Sequence, residues 1–420
     1  MSVPVSDKLV PGGNIRWWLC GLLFAATALS FLDRQVLSVL APVVTRQLGM
    51  SNLEYSHATN AYLISYAVMF LLSGRMLDVL GTRFGMMLCV GLWSLASAAH
   101  SLIQNAMQLG IARFLLGAGE GGCFPGAAKG VTEWFPRQER ALAMGLAIGG
   151  ASLGAVLAPP LTIWVSQLLG WRSVFLVTGM LGIAWVIAWW YSSSVLSKPQ
   201  SLSASTSNYR RPVKLSLLFT RLDFWGLAMV RLMVDPVFYF YNFWIPKYLS
   251  QERGASQQEI GELSWIPFLA LGFSNIFGGW LSDHLVRKGF DALVARRWIM
   301  AGAAVLTMAS SLTGKVGSVT AALAMMALLM LAHGFWVTNY ITLISERFPQ
   351  NAIGTVTGFS GAIGALGGIL ANTTIGWVVD HFSYGPVWLA SGFMYPLAFG
   401  VLLLTVKSCG AIPKDAGQMI

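Results

Sequence analysis

Six ionisable side chains stand out within the long apolar stretches of this 420-residue sequence, namely Asp33, Arg34, Arg113, Glu120, Arg231 and Asp235. A charge at the centre of a bilayer costs at least about 2.5 to 3.5 kcal/mol, so each group needs a partner or a function. Arg113 and Glu120 are nearly two helical turns apart and share one helix face. Arg231 and Asp235 are one turn apart and also share a face. The pattern indicates either ion pairs between helices, which suits Arg231 with Asp235, or a charged binding site, which suits the other four.

Arginine and carboxyl side chains fit different parts of an anion-binding site. A planar guanidinium binds a carboxylate through two parallel charge-assisted hydrogen bonds and stays protonated at any working pH. A buried carboxyl group suits proton transfer, because burial raises the pKa of an acid whereas a neighbouring Arg lowers it. The six residues therefore predict a site for an organic anion that also handles protons.

The stretches around these residues have the length and composition of membrane-spanning helices. Hydrophobic residues make up 55% of the chain and charged residues 10%, and the mean hydropathy is +0.64. A spanning helix needs about 20 mostly apolar residues. Twelve such stretches are predicted at residues 17–44, 58–80, 85–104, 107–128, 141–164, 172–192, 223–249, 260–281, 297–314, 318–341, 355–379 and 386–407. They lack the alternation of a β-barrel strand. The predicted class is an all-α polytopic membrane protein with 12 transmembrane helices.

The net charge of +10 indicates orientation and not a nucleic-acid partner. If the N-terminus is cytoplasmic, nineteen of the 27 Lys and Arg residues fall in segments on the inner side. The outer loops then hold Arg46, Arg172, Lys247, Arg253 and Lys315. This asymmetry follows the positive-inside rule. Both termini are therefore predicted to face the cytoplasm.

Two loop sequences occur twice at corresponding positions. GRMLDVLGTRFG (74–85) follows the second predicted helix and GWLSDHLVRKG (279–289) follows the eighth. EWFPRQERALAMG (133–145) and ERFPQNAIGTVTG (346–358) form a second pair, after helices four and ten. The chain is therefore predicted to consist of two six-helix halves in the same orientation, with substrate at their interface. The halves are residues 1–192 and 223–420, and residues 193–222 are a cytoplasmic linker.

The loop at 74–85 resembles a motif of the major facilitator superfamily, in which Asp, Gly and basic residues form a latch at the cytoplasmic side. The latch residues that this resemblance implies are Gly74, Asp78, Gly81, Arg83 and, in the second half, Asp283. Val79 departs from the motif, which usually has a basic residue there. The resemblance also implies the major facilitator fold.

Further segments resemble the anion:cation symporter family within this superfamily. They are LSFLDRQVLSVLAP (29–42), ARFLLGAGEGGCFPG (112–126) and EWFPRQERALAMG (133–145). Three more segments resemble the hexuronate and sugar-acid permeases of this family. They are VRLMVDPVFYFYNFWIPKYL (230–249), SWIPFLA (264–270) and LAHGFWVTN (331–339). The resemblance implies that Arg34 binds the substrate carboxylate, that Asp33 and Glu120 carry protons, and that Arg113 is an electrostatic partner of the site.

Sugar hydroxyls need neutral donors and acceptors on a largely apolar wall. Candidates on the predicted helices are Tyr62, Tyr239, Asn242, Asn275, Trp336 and Asn339. Each is equally consistent with ordinary packing or a hydrogen bond between helices. Arg231 is a further substrate-binding candidate, and His333 is a second titrating candidate, although a lone membrane His more often serves packing.

These features predict a proton-coupled symporter that imports a hexuronate or related sugar acid by alternating access. Another organic anion, such as an aldonate, an aldarate or an aromatic acid, is the alternative within the family. A proton-driven exporter of cationic or amphipathic compounds is a further alternative, although three Arg residues in the predicted cavity argue against a cationic substrate. No nucleophile, metal-ligand or nucleotide motif indicates an enzyme, so no cofactor or metal is expected and the proton gradient supplies energy. We expect a monomer in the bacterial inner membrane, whose partners are the anion, protons and lipid.

Overall fold

The computed structural model describes residues 13–135, 139–194, 215–348 and 350–406. Within these ranges the regular elements are helices and no strand occurs, which confirms the all-α class. Most of the predicted linker at 193–222, and both chain termini, lie outside the described residues.

The first six predicted spans are covered by six helical elements. These are α1 (Gly13–Gln47), α2 (Asn52–Ala99), α3 (Ala106–Glu120), α4 (Cys123–Trp134), α5 (Arg140–Leu169) and α6 (Trp171–Ser194). The second and third spans form one element, α2, which is divided at Gly81 by a non-helical backbone conformation. The fourth span is broken between α3 and α4.

The remaining spans are covered by the second half of the chain. Its elements are α7 (Leu215–Phe219), α8 (Leu222–Arg253), α9 (Gln257–Leu263), α10 (Ile266–Arg287), α11 (Ala292–Thr307), α12 (Val319–Arg347), α13 (Gln350–His381) and α14 (Gly385–Thr405). A 3-10 helix, Met308–Lys315, follows α11. The eighth span is interrupted between α9 and α10, and α7 is a single short turn of helix.

In the described part of the chain, nine helices are long and apolar enough to cross a membrane. One of them, over Asn52–Leu102, contains two predicted spans. The nine do not include α8, which carries Arg231 and Asp235 in its apolar run, or α3 and α4, which are too short singly. The observed helices are therefore consistent with 12 transmembrane passages.

The chain divides into two compact units. The first comprises Met1–Gly49 and Ala61–Ser201, and the second comprises Met50–Asn60 and Leu202–Ile420. Helix α2 therefore begins in the second unit and continues in the first. The boundaries of the two predicted halves and of the linker stay predictions.

Glycines on α5 allow it to lie close to α1 in the first unit. A Cβ atom at Gly150 would overlap the carbonyl oxygen of Phe24, and one at Gly154 would overlap that of Ala28. The Thr27 hydroxyl donates a hydrogen bond across the same contact to the Ala147 carbonyl oxygen at 2.7 Å. Small residues thus bring the two backbones together, as in other membrane helix pairs.

Gly81 provides the first testable prediction. Its φ of 74° and ψ of 160° lie in a region that only glycine readily adopts. Gly81→Ala is therefore expected to destabilise the fold by about 1 to 3 kcal/mol and to lower the thermal midpoint of the purified protein in detergent. Gly74→Ala is the matched control, because nothing lies within 4 Å of a Cβ built there and alanine favours a helix. Equal midpoints for the two variants would contradict this prediction.

Candidate functional site

Three helices of the first unit bring a carboxylate, a guanidinium and a phenol together. The Arg34 guanidinium on α1 lies 3.3 Å from Glu120 Oε2 at the end of α3. The Tyr62 hydroxyl on α2 donates to the same carboxyl oxygen at 2.7 Å, and the Ser30 hydroxyl on α1 donates to it at 3.1 Å. All four side chains are buried. The structure therefore brings together Arg34, Glu120 and Tyr62, three of the site residues predicted from the sequence.

Aromatic rings surround the Arg34 guanidinium on several sides. Its carbon lies 4.5 Å from the ring centroid of Phe31, 4.9 Å from that of Tyr66 and 5.3 Å from that of Tyr62. A guanidinium over aromatic faces is attracted by the ring quadrupoles, more strongly where water is excluded. The three rings therefore help to hold the buried guanidinium beside Glu120.

Asp33 is adjacent to Arg34 in sequence but lies against different helices. The Ser97 hydroxyl on α2 donates to Asp33 Oδ1 at 2.8 Å, and Ser97 is itself 2.9 Å from the Thr178 hydroxyl on α6. Asp33 is buried. The two acids of the first unit therefore occupy distinct environments, Glu120 beside a cation and Asp33 beside hydroxyl groups.

Arg113 connects α3 to the backbone of α1. Its terminal NH2 donates to the carbonyl oxygen of Arg34 at 3.3 Å, and its guanidinium carbon lies 5.5 Å from the Tyr62 ring centroid. Arg113 is among the largest fully buried side chains of the described residues. It thus adds positive charge next to the Arg34 and Glu120 pair.

Each of the two acids has one oxygen that is engaged and one that is not. Glu120 Oε1 and Asp33 Oδ2 are buried, and neither has a hydrogen-bond partner among the described residues. A buried acceptor without a partner is costly unless it carries a proton or meets another group. These two oxygens are the positions where a proton can be held in a carboxylic acid.

The second unit contains an ion pair within α8. Arg231 lies 2.8 Å from Asp235 Oδ2, one helical turn away, and the Arg231 side chain keeps 26% of its surface exposed. A Cβ at Gly364 on α13 would overlap the Asp235 carboxylate, so only glycine allows α13 to lie this close. The Arg231 guanidinium carbon is 5.9 Å from the Tyr340 ring centroid. The pairing is consistent with a structural role, and a contact of Arg231 with substrate stays a prediction.

The neutral candidates of the second unit make contacts within and between helices. Asn242 donates to the Phe238 carbonyl oxygen at 2.8 Å, and Asn339 donates to that of Phe335 at 2.8 Å. The Asn275 carbonyl oxygen accepts from the Thr338 hydroxyl at 3.1 Å.

Two aromatic candidates of the second unit, Tyr239 and Trp336, contact other rings. The Tyr239 ring stacks parallel to Phe243 at 6.0 Å, and Trp336 packs edge-on against Tyr395 at 5.4 Å. Each contact allows a packing role, so substrate binding by these five neutral residues stays a prediction.

His333 has a defined environment. Its Nδ1 lies 2.6 Å from the Tyr395 hydroxyl, and its ring stacks on Phe238 at 4.7 Å. These contacts engage one ring nitrogen and one ring face, as in a packed histidine. Its participation in proton transfer stays a prediction.

The two predicted latch acids, Asp78 and Asp283, each belong to a charged cluster in their own unit. Lys129 on α4 lies 2.6 Å from Asp78 and 3.9 Å from Glu133 in the first unit. Arg296 on α11 lies 2.9 Å from Asp283 and 3.1 Å from Glu346 in the second. The repeated acids are therefore paired in both units, but with cations from different helices.

The other latch candidates, Gly74, Gly81 and Arg83, lie on α2, as Asp78 does. The Arg83 side chain donates to the Trp190 carbonyl oxygen at 3.3 Å, and its guanidinium carbon lies 4.7 Å from a Trp190 ring centroid. Gly81 supplies the turn described above, and Gly74 lies on α2 one turn before Asp78. A latch function for the five residues stays a prediction.

Tyr66, Ser30, Ser97 and Thr178 contact the candidate residues and were not predicted from the sequence. Tyr66 could have been predicted, because it stands four residues after the candidate Tyr62 and shares its helix face. Ser30 lies one turn before Arg34. Nothing in a single sequence distinguishes Ser97 or Thr178 as a site residue, since serine and threonine are common in membrane helices.

The described residues contain no group of three His, Cys, Asp or Glu side chains that could hold a metal ion. The charged chemistry of the described first unit is instead that of one guanidinium paired with one carboxylate, with a second acid and a second arginine nearby. Such an arrangement can bind a carboxylate and exchange a proton.

Comparison with known proteins gives one family and several relatives. Residues 23–372 match the family described as the Major Facilitator Superfamily. The hexuronate transporter of Escherichia coli K12 is 28% identical over 389 residues, which cover 89% of this chain and 90% of that protein. The galacturonate transporter of Dickeya chrysanthemi is 31% identical over 317 residues, covering 72% of this chain and 91% of that protein.

A solved structure is also similar in fold. A bacterial homologue of the human lysosomal transporter Spinster, in an inward-facing and unoccupied conformation, gives a TM-score of 0.77 at 20% identity. The alignment covers 94% of this chain and 96% of that one. At this identity the similarity concerns the fold alone.

Proposed function

The chain belongs to the Major Facilitator Superfamily, and from this membership we propose that it is a proton-coupled symporter that imports a hexuronate or related sugar acid by alternating access. It is a multi-pass membrane protein of a transporter family. The observation that carries the proposal is the buried Arg34 guanidinium, framed by three aromatic rings and paired with Glu120.

Arg34 is proposed to bind the substrate carboxylate. In the described structure its terminal nitrogen meets one oxygen of Glu120, which is the same chemical group that a sugar acid presents. A substrate carboxylate can replace Glu120 and accept two parallel hydrogen bonds from the fork. Arg113 keeps the surroundings positive and so favours an anion over a cation.

The class of substrate is proposed from the relatives together with the polar side chains. The two relatives are named for hexuronate and galacturonate. Tyr62 and Tyr66 stand beside Arg34 in the first unit, and Tyr239, Asn242, Asn275, Trp336 and Asn339 are candidates for hydroxyl contacts in the second. A different organic anion is the second candidate, since Arg34 recognises a carboxylate and not the sugar.

Protons are proposed to drive accumulation through Glu120 and Asp33. Ionised Glu120 holds Arg34, whereas protonated Glu120 releases it to the substrate. Each acid has a buried oxygen without a partner among the described residues, where the proton can be held. No cofactor is proposed, because the proton gradient supplies the energy.

The proposed location is the bacterial inner membrane, with both termini in the cytoplasm and the protein acting as a monomer. The positive-inside count of Lys and Arg supports this orientation. In it, the start of α1 lies inside, and the end of α8 and the Met308–Lys315 helix lie outside.

Counterflow in proteoliposomes tests the proposed function. Vesicles loaded with unlabelled D-galacturonate, D-glucuronate, D-galactonate, galactarate or benzoate would exchange against labelled D-galacturonate outside. We expect the two uronates to support the fastest exchange, and an inward proton gradient to give net accumulation. Liposomes without protein are the control for leak. Faster exchange with the aldonate, the aldarate or the aromatic acid would favour the second candidate, and no exchange with any anion would contradict both.

A further inference from the structure

Residues 50–60 at the start of α2 contact α8 and α13 through polar groups of the second unit. Asp380, at the end of α13, accepts the backbone N–H of Asn52 at 3.0 Å and that of Leu53 at 2.8 Å. It also accepts the Asn52 side-chain amide at 2.7 Å. The carboxylate therefore caps the first turn of α2, where the helix dipole favours a negative charge.

Asn372, eight residues before Asp380 on α13, also binds residues 50–60. Its Nδ2 donates to the Thr59 hydroxyl at 2.5 Å and to the Asn60 side-chain oxygen at 2.9 Å. Its Oδ1 accepts the Trp244 indole N–H at 2.6 Å. These contacts are short and polar, and water can satisfy the same groups when the segment moves away.

Lys247 on α8 is buried directly beneath this segment. It is 1% exposed, and its Nζ lies 4.7 Å from the Tyr55 ring centroid and 5.6 Å from a Trp244 ring centroid. The Tyr55 hydroxyl donates to the Phe243 carbonyl oxygen at 2.7 Å, which fixes the ring over the ammonium. Among the described residues, Lys247 forms neither a hydrogen bond nor an ion pair.

A buried cation without an anionic partner calls for an explanation. Burial of an unpaired charge is unfavourable, and two aromatic faces offset only part of it. Asp380 is the acid whose charge reaches Lys247, but its oxygens are engaged by the first turn of α2. The protein thus keeps a lysine at the outer end of α8 and covers it with a tyrosine ring in place of a carboxylate.

We propose that Lys247 is an outer capture residue for the carboxylate of the substrate. When residues 50–60 separate from α8 and α13, Tyr55 leaves the ammonium, which then binds an incoming carboxylate. An aromatic cover suits this role, because a ring does not compete with the substrate as a protein carboxylate would. This inference rests on the proposed function for the orientation of the chain and for the anionic substrate.

Acylation of lysine measures this exposure directly. Right-side-out vesicles would be treated with membrane-impermeant sulfosuccinimidyl acetate, and modification of Lys247 and Lys315 would be followed by peptide mass spectrometry. Lys315 is exposed and lies on the same proposed side, so it is the internal reference. We expect Lys247 to react at least about tenfold more slowly than Lys315, because only the opened state is accessible.

Two variants and a ligand separate capture from simple burial. Asn372→Ala removes the contacts to Thr59 and Asn60 and should raise the Lys247 rate several-fold with no change at Lys315. Thr374→Ala is the control, because Thr374 is exposed and, among the described residues, its hydroxyl bonds only to the Leu370 carbonyl oxygen of its own helix. D-Galacturonate should slow acylation of Lys247 in Asn372→Ala and leave Lys315 unaffected.

Transport provides the second measurement. Lys247→Met should raise the external KM for D-galacturonate about three- to tenfold at low ionic strength, and less at high salt, as for a charge that captures its ligand. Lys247→Arg should restore much of the loss. Acylation of Lys247 at the Lys315 rate in the wild type would overturn the covering by Tyr55. Absence of protection by D-galacturonate, with wild-type counterflow intact, would overturn capture alone, whereas absence of counterflow would overturn the proposed function itself.

Discussion

Arg34→Lys is expected to lose most uronate transport even though the positive charge is kept. The guanidinium can give a carboxylate two parallel hydrogen bonds, whereas an ammonium is a point donor without a fork. The three rings around Arg34 are arranged for a flat cation, with centroids 4.5 to 5.3 Å from its central carbon. Loss of one charge-assisted bond, at about 1.5 to 3 kcal/mol, corresponds to an apparent affinity on the order of 10- to 100-fold weaker.

The affinity of Arg34→Lys can be measured apart from transport. A ligand that binds only the folded protein stabilises it, so the proposed binding of D-galacturonate should raise the thermal midpoint, and this rise should shrink in step with affinity. Arg172→Lys is the matched control, because Arg172 is exposed and lies over the Trp171 ring in the same unit. It should leave binding unchanged. Near-normal affinity in Arg34→Lys would refute the role of Arg34 as the carboxylate anchor.

The different surroundings of Asp33 and Arg34 illustrate what one sequence can predict. Consecutive residues on a helix point roughly 100° apart, so adjacent charges in α1 must face different neighbours. The sequence located both residues in the first span, and this was sufficient to propose a charged site. It did not indicate that Ser97 and Thr178 would meet Asp33 while Tyr62 and Tyr66 would meet the other side. Those partners depend on how helices rotate when they pack.

The membrane spans and the internal repeat could be predicted from the sequence, because they depend on the composition and spacing of its residues. The repeat paired Asp78 with Asp283, and each carries an ion pair in the structure. The cations were not predicted, because Lys129 comes from α4 and Arg296 from α11, positions that no repeated motif relates. Likewise, the length of its apolar run predicted two membrane spans in α2. It could not show that residues 50–60 contact α8 and α13, since these contacts join residues more than 180 positions apart.

In the proposed mechanism, the ion pair between Arg34 and Glu120 connects substrate binding to proton binding. Ionised Glu120 accepts from the Arg34 nitrogen that is proposed to bind the substrate carboxylate, so the two anions are expected to compete for Arg34. Protonation of Glu120 removes that competition and should raise substrate affinity. By linkage, bound substrate must then favour protonation by the same factor. Asp33 has hydroxyl partners instead, and the two acids can still titrate as a coupled pair.

Glu120→Gln is expected to separate exchange from accumulation. The amide keeps the volume and can accept the Tyr62 and Ser30 hydroxyl groups, but it has no charge to hold Arg34 and no proton to release. The variant should therefore bind D-galacturonate and exchange it in counterflow at a rate within about tenfold of the wild type, whereas an imposed proton gradient should give no accumulation.

Both assays would use the same proteoliposomes, so that the ratio of accumulation to exchange does not depend on the amount of active protein. Glu259→Gln is the matched control, since Glu259 is an exposed capping residue of α9 and glutamine serves that cap equally. It should retain both activities. If Glu120→Gln accumulates substrate at the wild-type level, Glu120 is not an essential proton carrier. Asp33→Asn and His333→Gln would then be compared in the same assay, because these two residues are the other proton-carrier candidates from the sequence.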